Sequence, residues 1–87
     1  MVSLNRAVAV AMAEGPQSGL VIIDKLAATG DLDRYHLLHA SRADLLRRIG
    51  SFEEAAKSYA RALRLATHES ERRFLEKRLR EVQSAVA

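Results

Sequence analysis

The chain has 87 residues, the length of one small domain, and its lack of cysteine excludes a disulfide framework, a thiolate nucleophile and a zinc–thiolate site. Its net charge of +3 comes from basic segments interleaved with Asp and Glu, a pattern that disfavours direct nucleic-acid binding. No apolar run approaches the ~20 residues that cross a bilayer, and the lack of cysteine fits a reducing compartment. We therefore expect a cytoplasmic protein that makes no membrane contact.

Glycine, proline and capping residues divide the chain into predicted helices. Gly15 suits the left-handed end of the first helix, and Pro16 opens the second. Asp31 is placed to cap the third helix, while Ser51 and Glu54 form a capping box before the fourth. The five predicted helices cover about 3–13, 16–28, 32–49, 52–66 and 69–84.

The spacing of apolar residues supports helices throughout. The fourth helix repeats apolar side chains at intervals of four and three, at Phe52, Ala56, Tyr59, Leu63 and Ala66. The last helix has one apolar face, and the residues on its other faces are mostly charged. No segment alternates apolar and polar residues as a strand does. We therefore predict one all-α domain over residues 1–87.

An internal repeat has a period in the mid-thirties. Gly15 and Gly50, at the ends of the first and third helices, lie 35 residues apart. A helix–turn–helix repeat of this length is typical of tetratricopeptide proteins. We predict about two antiparallel tetratricopeptide-like hairpins and a C-terminal capping helix. The pairs that recur 36 residues apart are Gly19 with Ala55, Ile23 with Tyr59, and Leu26 with Ala62.

No constellation of residues indicates catalysis. His36 and His39 have a metal-like spacing, but further ligands are not evident. Ser41 and Ser58 have no glycine elbow, and no glycine-rich phosphate loop is present. We therefore expect no enzyme activity, no metal and no cofactor. Arg42 falls on the apolar stripe of the third helix, where it either reaches solvent, pairs with helix one or helix four, or binds a ligand.

Stacked hairpins of this kind line a concave face with their first helices. A basic edge at Arg47 and Arg48 would favour a protein partner that bears carboxylates, although both arginines fit a solvated surface equally well. The predicted concave face consists of Asn5, Ala9, Met12, Leu37, Ala40, Asp44, Arg47 and Arg48.

Three ordered blocks, LNRAVAVA at 4–11, YHLLHA with RADLLR at 35–47, and ERRFL at 71–75, span most of the chain. Together they resemble the C-terminal extension of bacterial RNA polymerase sigma factors of the extracytoplasmic-function type that carry a tetratricopeptide-like tail. The resemblance implies a regulatory tail in transcription initiation, contacting the sigma core regions, the polymerase or a regulator. The promoter-binding and polymerase-binding regions would lie upstream, with Met1 an added start on an excised domain.

Two other functions fit the same residues. The chain fits a free-standing adaptor that binds a peptide or another protein. It also fits a homodimerisation element that uses Phe74 and the leucines of the last helix as an exposed seam.

Overall fold

A computed structural model describes residues 4–86, which contain five helices and no strand. The prediction of an all-α fold is therefore confirmed. None of the helices within these residues combines the length and the apolar character that a bilayer span requires. The helices are α1 (Leu4–Glu14), α2 (Pro16–Ala28), α3 (His36–Arg48), α4 (Phe52–Leu65) and α5 (Glu69–Val86).

The predicted start of the third helix is wrong by four residues. Residues 31–34 form turns, so Asp31 does not cap α3, and Tyr35 is its extended N-cap without a side-chain capping bond. The turn is stabilised by a residue of α3, because His39 Nε2 forms a hydrogen bond with the backbone oxygen of Asp33 at 2.7 Å. The other predicted ends match the structure or differ from it by one or two residues. The predicted start at residue 3 lies outside the described residues.

Two glycines separate consecutive helices as predicted, but the capping box is not formed. Gly15 and Gly50 have φ of +107° and +85°, the left-handed region that favours glycine. Ser51 is the N-cap of α4, yet its side chain makes no capping hydrogen bond. Its backbone N–H donates instead to the carbonyl of Leu46 at 2.9 Å, which closes the end of α3.

Each helix packs against the next one in the chain, and α1 also contacts α3. The core has two parts, both of which include residues of α3, while Leu20 packs against both. One part consists of Ala7, Ala11, Ile23, Leu38 and Leu45. The other consists of Ala43, Leu46, Ala55, Tyr59, Ala62, Ala66, Leu75 and Val82.

Helices α1 and α2 approach each other closely at Gly19. A Cβ atom at this position would lie 2.5 Å from Ala11 Cβ and 2.8 Å from the carbonyl oxygen of Ala7. Such distances are shorter than van der Waals contact, so only glycine fits here. Small residues on both helices therefore set the separation of α1 and α2.

Arg42 on α3 forms hydrogen bonds with side chains on α2 and α4. Its Nε donates to Asp24 Oδ1 at 2.9 Å, and one terminal nitrogen donates to Ser58 Oγ at 2.9 Å. The predicted pairing with the fourth helix is confirmed for Ser58, while the other partner lies on α2 rather than on α1. The buried hydroxyl of Ser58 is thereby satisfied.

Candidate protein-binding cleft

An open cleft runs along α3 between α1 and α5. It has two adjoining hollows of about 320 and 280 Å³, and both are lined by Ala40 and Phe74. The first hollow is also lined by Val8, Ala11, Ser41, Asp44, Leu45, Arg48 and Tyr59. The second is also lined by His36, Leu37, Ser70, Glu71 and Leu75. These residues define the α1/α3/α5 cleft.

Three large apolar side chains of the cleft are exposed to solvent. Val8 on α1 is 41% exposed, Leu37 on α3 is 42% exposed, and Phe74 on α5 is 54% exposed. Ala40 lines both hollows, where its small side chain leaves space beside α3. Three helices thus bring exposed apolar groups together around one cleft, although these residues are far apart in sequence.

A cluster of charged groups lies at the end of the cleft near the C-terminus of α3. The carboxylate of Asp44 pairs with Arg47 at 2.5 Å and with Arg48 at 3.2 Å. Arg47 Nε also donates to the Tyr59 hydroxyl at 3.3 Å. The bonds to Asp44 and then Tyr59 raise the pKa of Arg47 further above its ordinary value. Arg47 is thus held by the fold, whereas the side chain of Arg48 is 46% exposed.

Tyr59 joins this cluster to the core. Its ring is fully buried between the helices, while the residue contributes to the lining of the first hollow. Burial raises the pKa of the Tyr59 hydroxyl above its ordinary value, and the hydrogen bond from Arg47 opposes this shift. The neutral phenol is therefore the form that the folded chain favours.

An acidic group shared by two histidines lies at the other end of the cleft. Glu71 on α5 contacts His36 Nε2 through one oxygen, and its other oxygen lies 3.4 Å from His68 Nδ1. The contact with His36 connects α5 to the first residue of α3. Glu71 also lines the second hollow, so its side chain borders the cleft.

Phe74 is covered on one side by a cation. The guanidinium carbon of Arg78 lies 5.3 Å from the centre of the Phe74 ring, and Arg78 also bonds Glu81 at 3.1 Å. This stacking holds the ring in place while more than half of its surface stays open. The cleft thus presents an exposed aromatic ring that stacks with a cation.

The structure places the predicted concave-face residues in three groups. Four of them, Leu37, Ala40, Asp44 and Arg48, line the cleft. Arg47 lies beside the cleft and turns to Asp44 and Tyr59. The residues from α1, namely Asn5, Ala9 and Met12, are exposed but line neither hollow.

The sequence did not predict that residues of α5 line the cleft, nor which residues of α1 do so. Val8 and Ala11 line the first hollow in place of the expected α1 residues, and Phe74 borders both hollows. Phe74 lies next to Leu75, which is buried. Since adjacent residues of a helix do not share a face, two neighbouring apolar residues were a signal that one of them is exposed. As a binding residue, Phe74 was predicted only for a homodimer seam.

The two histidines with metal-like spacing have separate partners. His39 bonds the Asp33 carbonyl, and His36 contacts Glu71. Within residues 4–86, no group of three or more His, Asp or Glu side chains is arranged to hold a metal ion. Both histidines therefore have structural contacts that account for their positions.

A third, more polar hollow of about 580 Å³ lies outside the cleft, between α2, α3 and α4. Its charged side chains largely pair with each other, as Arg42 does with Asp24 and Lys57 with Glu54. Paired charges of both signs are typical of a solvated surface. The α1/α3/α5 cleft, with its exposed apolar groups, is the better candidate for a binding site.

Comparison with known proteins adds one related segment. No protein family and no solved structure matches the chain. An uncharacterized protein of Rhizobium meliloti (strain 1021) is 38% identical over 79 residues, which is 91% of this chain. The chain spans only 18% of the length of that relative. A similar segment therefore occurs within a much longer protein.

Proposed function

We propose that the chain is a non-catalytic protein-interaction domain, and that it binds a segment of a partner protein in the α1/α3/α5 cleft. The observation that carries the proposal is the convergence of Val8, Leu37 and Phe74, all exposed, around one cleft. Contiguous exposed apolar surface with a polar rim is typical of interaction sites.

We further propose that the helices form tetratricopeptide-like hairpins, α1 with α2 and α3 with α4, followed by α5 as a cap. The order of packing supports this, because each helix contacts the next and α1 also contacts α3. Equivalent positions of the internal repeat support it too, since Gly19 and Ile23 are buried in α2 as Ala55 and Tyr59 are in α4. In this arrangement α1, α3 and α5 border the concave face.

We propose that this domain is the regulatory tail of a sigma factor of the extracytoplasmic-function type, acting in transcription initiation in the cytoplasm. The proposal is supported by the three sequence blocks, which coincide with the elements around the cleft. Block 4–11 includes Val8, block 35–47 covers most of α3, and block 71–75 includes Glu71 and Phe74. The longer relative is compatible with a domain attached to other regions. The partner would be the sigma core, the polymerase or a regulator.

The first test is to sequence the DNA upstream of this segment. We expect an open reading frame that encodes two helical sigma regions. The second test measures promoter output from the full-length protein with Phe74→Asp. We expect output to change at least about fivefold. Loss of an aromatic side chain that becomes buried in the complex commonly costs more than about 1 kcal/mol of binding free energy.

Val21→Asp is the matched control, because Val21 is also 54% exposed but lies on α2 away from the cleft. Both variants should keep the helical circular dichroism signal. A stop codon directly upstream would contradict the sigma-factor proposal and leave a free-standing adaptor that uses the same cleft. Equal promoter output from the two variants would contradict a role for the cleft in transcription.

A further inference from the structure

The chemistry of the cleft walls constrains the conformation of a bound segment. Most of the lining is apolar, since Val8, Leu37, Ala40 and Phe74 offer neither donors nor acceptors, while Ser41 and Ser70 add hydroxyl groups. Its walls are helices, which pair their backbone groups internally except at their ends. An extended peptide would leave its own backbone groups unpaired against such walls, whereas a helix pairs them internally. The cleft therefore favours a helical occupant.

The length and shape of the cleft suit a helix of three to four turns. The lining residues on α3 run from His36 to Arg48, the whole of that helix. At ~1.5 Å per residue this is about 18 Å. The two hollows lie one after the other along α3, so apolar side chains spaced about one to two turns apart on an occupant would enter both.

The charges at the two ends of the cleft differ in sign. Near the C-terminus of α3, Arg47 and Arg48 share the single carboxylate of Asp44, which leaves a surplus of positive charge. Near its N-terminus, the carboxylate of Glu71 faces His36 and His68 and is the acidic group at that end. Beside Phe74, Arg78 pairs with Glu81, so this pair adds no net charge.

We propose that the occupant is an amphipathic helix of the partner, running antiparallel to α3, with carboxylates in its first turn beside Arg48 and basic groups in its last turn beside Glu71. This inference rests on the proposed function. Carboxylates at a helix start and basic groups at a helix end are also favoured by the helix dipole. The antiparallel direction brings opposite dipole ends of α3 and the occupant together.

The test uses a phage-displayed library of amphipathic helical peptides of about 14–18 residues, with the polar positions randomised. The 87-residue chain is the target. We expect the selected peptides to carry Asp or Glu in the first turn and Lys or Arg in the last turn. Binding of a selected peptide should weaken at least about tenfold in Phe74→Asp and stay unchanged in Val21→Asp.

Direction is tested with two hydrocarbon-stapled versions of one selected peptide, the original and a version with the end charges exchanged. Stapling keeps their helix content equal. We expect the exchanged peptide to bind about fivefold more weakly, because a few partly exposed charge pairs contribute about 1 kcal/mol in total. Arg48→Glu should reverse this preference, while Arg64→Glu on α4, an exposed arginine that lines no hollow, should not.

Each result bears on a different part of the proposal. Equal binding of the two stapled peptides would overturn the direction and the charge pairing. If no selected peptide binds more weakly to the Phe74→Asp variant than to the original chain, the proposal of a helical occupant is overturned. A dimer in light scattering that Phe74→Asp converts to a monomer would assign the cleft to a second copy of the chain. Promoter output tests the proposed function separately, so its failure is distinguishable from these.

Discussion

Arg42 and Asp24 connect α3 to α2 across the surface of the domain, with Arg42 Nε 2.9 Å from Asp24 Oδ1. The same guanidinium bonds the buried hydroxyl of Ser58 on α4. One side chain thus ties three helices together. A charge on an apolar stripe becomes tolerable because it has two polar partners and stays 29% exposed.

We expect Arg42→Met to lower the free energy of unfolding by about 1 kcal/mol. The variant keeps the apolar stem but leaves Ser58 Oγ buried without its donor. The half-exposed carboxylate of Asp24 returns to water at little cost. Urea unfolding followed by circular dichroism measures the change. Unchanged stability would contradict the idea that Arg42 ties the helices, and a double-mutant cycle with Ser58→Ala isolates the coupling.

Gly19→Ala should destabilise the domain, although this change usually stabilises a helix by about 0.5–1 kcal/mol. The new Cβ would lie 2.5 Å from Ala11 Cβ, so α1 and α2 must separate. We expect a loss of about 1–3 kcal/mol in chemical unfolding. Introducing Ala11→Gly as well should recover part of that loss. A more stable Gly19→Ala variant would show that α1 and α2 do not cross this closely.

Arg72→Met should weaken the attachment of α5 to α4. One terminal nitrogen of Arg72 donates to the carbonyls of Leu63 at 2.7 Å and Ala66 at 3.1 Å, near the end of α4. Helix ends leave such carbonyls without intrahelical partners. We expect a loss of about 1–2 kcal/mol in the free energy of unfolding, measured by urea titration.

Arg73→Met is the control for that experiment, since it changes the adjacent arginine. Arg73 pairs with Glu69 within α5, and both side chains are more than three-quarters exposed. Exposed pairs of this kind contribute little to stability. A similar loss of stability in both variants would contradict a specific capping role for Arg72.

The domain should lose stability above pH 10 through Tyr59. Burial raises the pKa of Tyr59 in the folded chain above its ordinary value of 10.0. A phenol with a raised folded pKa stabilises the fold fully below its unfolded pKa, and this contribution falls as the pH rises from about 10 through the raised value. Unfolding free energies at pH 8 and 10.5 should therefore differ less in Tyr59→Phe than in the original chain.

Tyr35→Phe provides the comparison for the alkaline experiment, because Tyr35 is 42% exposed at the start of α3. It should retain the full loss of stability between the two pH values. If Tyr59→Phe loses as much stability as the original chain, ionisation of Tyr59 is not responsible for the alkaline sensitivity.

Local sequence determined the helices and most of their ends. Apolar spacing identified all five, because side chains three and four residues apart share a helix face. Gly15 and Gly50 marked breaks correctly, since left-handed backbone strongly favours glycine. Asp31 was wrongly predicted as a cap, because the bond that stabilises its turn comes from His39, further along the chain. Ser51 precedes α4 as predicted, but its backbone N–H caps the end of α3 at Leu46 and its side chain makes no capping bond.

Only the tertiary structure decided which side chains border the cleft and which partners the charged groups take. Positions on α3 were predictable, since one helix face follows from its sequence. The contributions of Val8 and Phe74 depend on how α1 and α5 rotate against α3, and packing elsewhere determines that rotation. The α2 partner of Arg42 was decided in the same way. Periodicity defines a face of each helix, whereas the meeting of faces depends on contacts between residues distant in sequence.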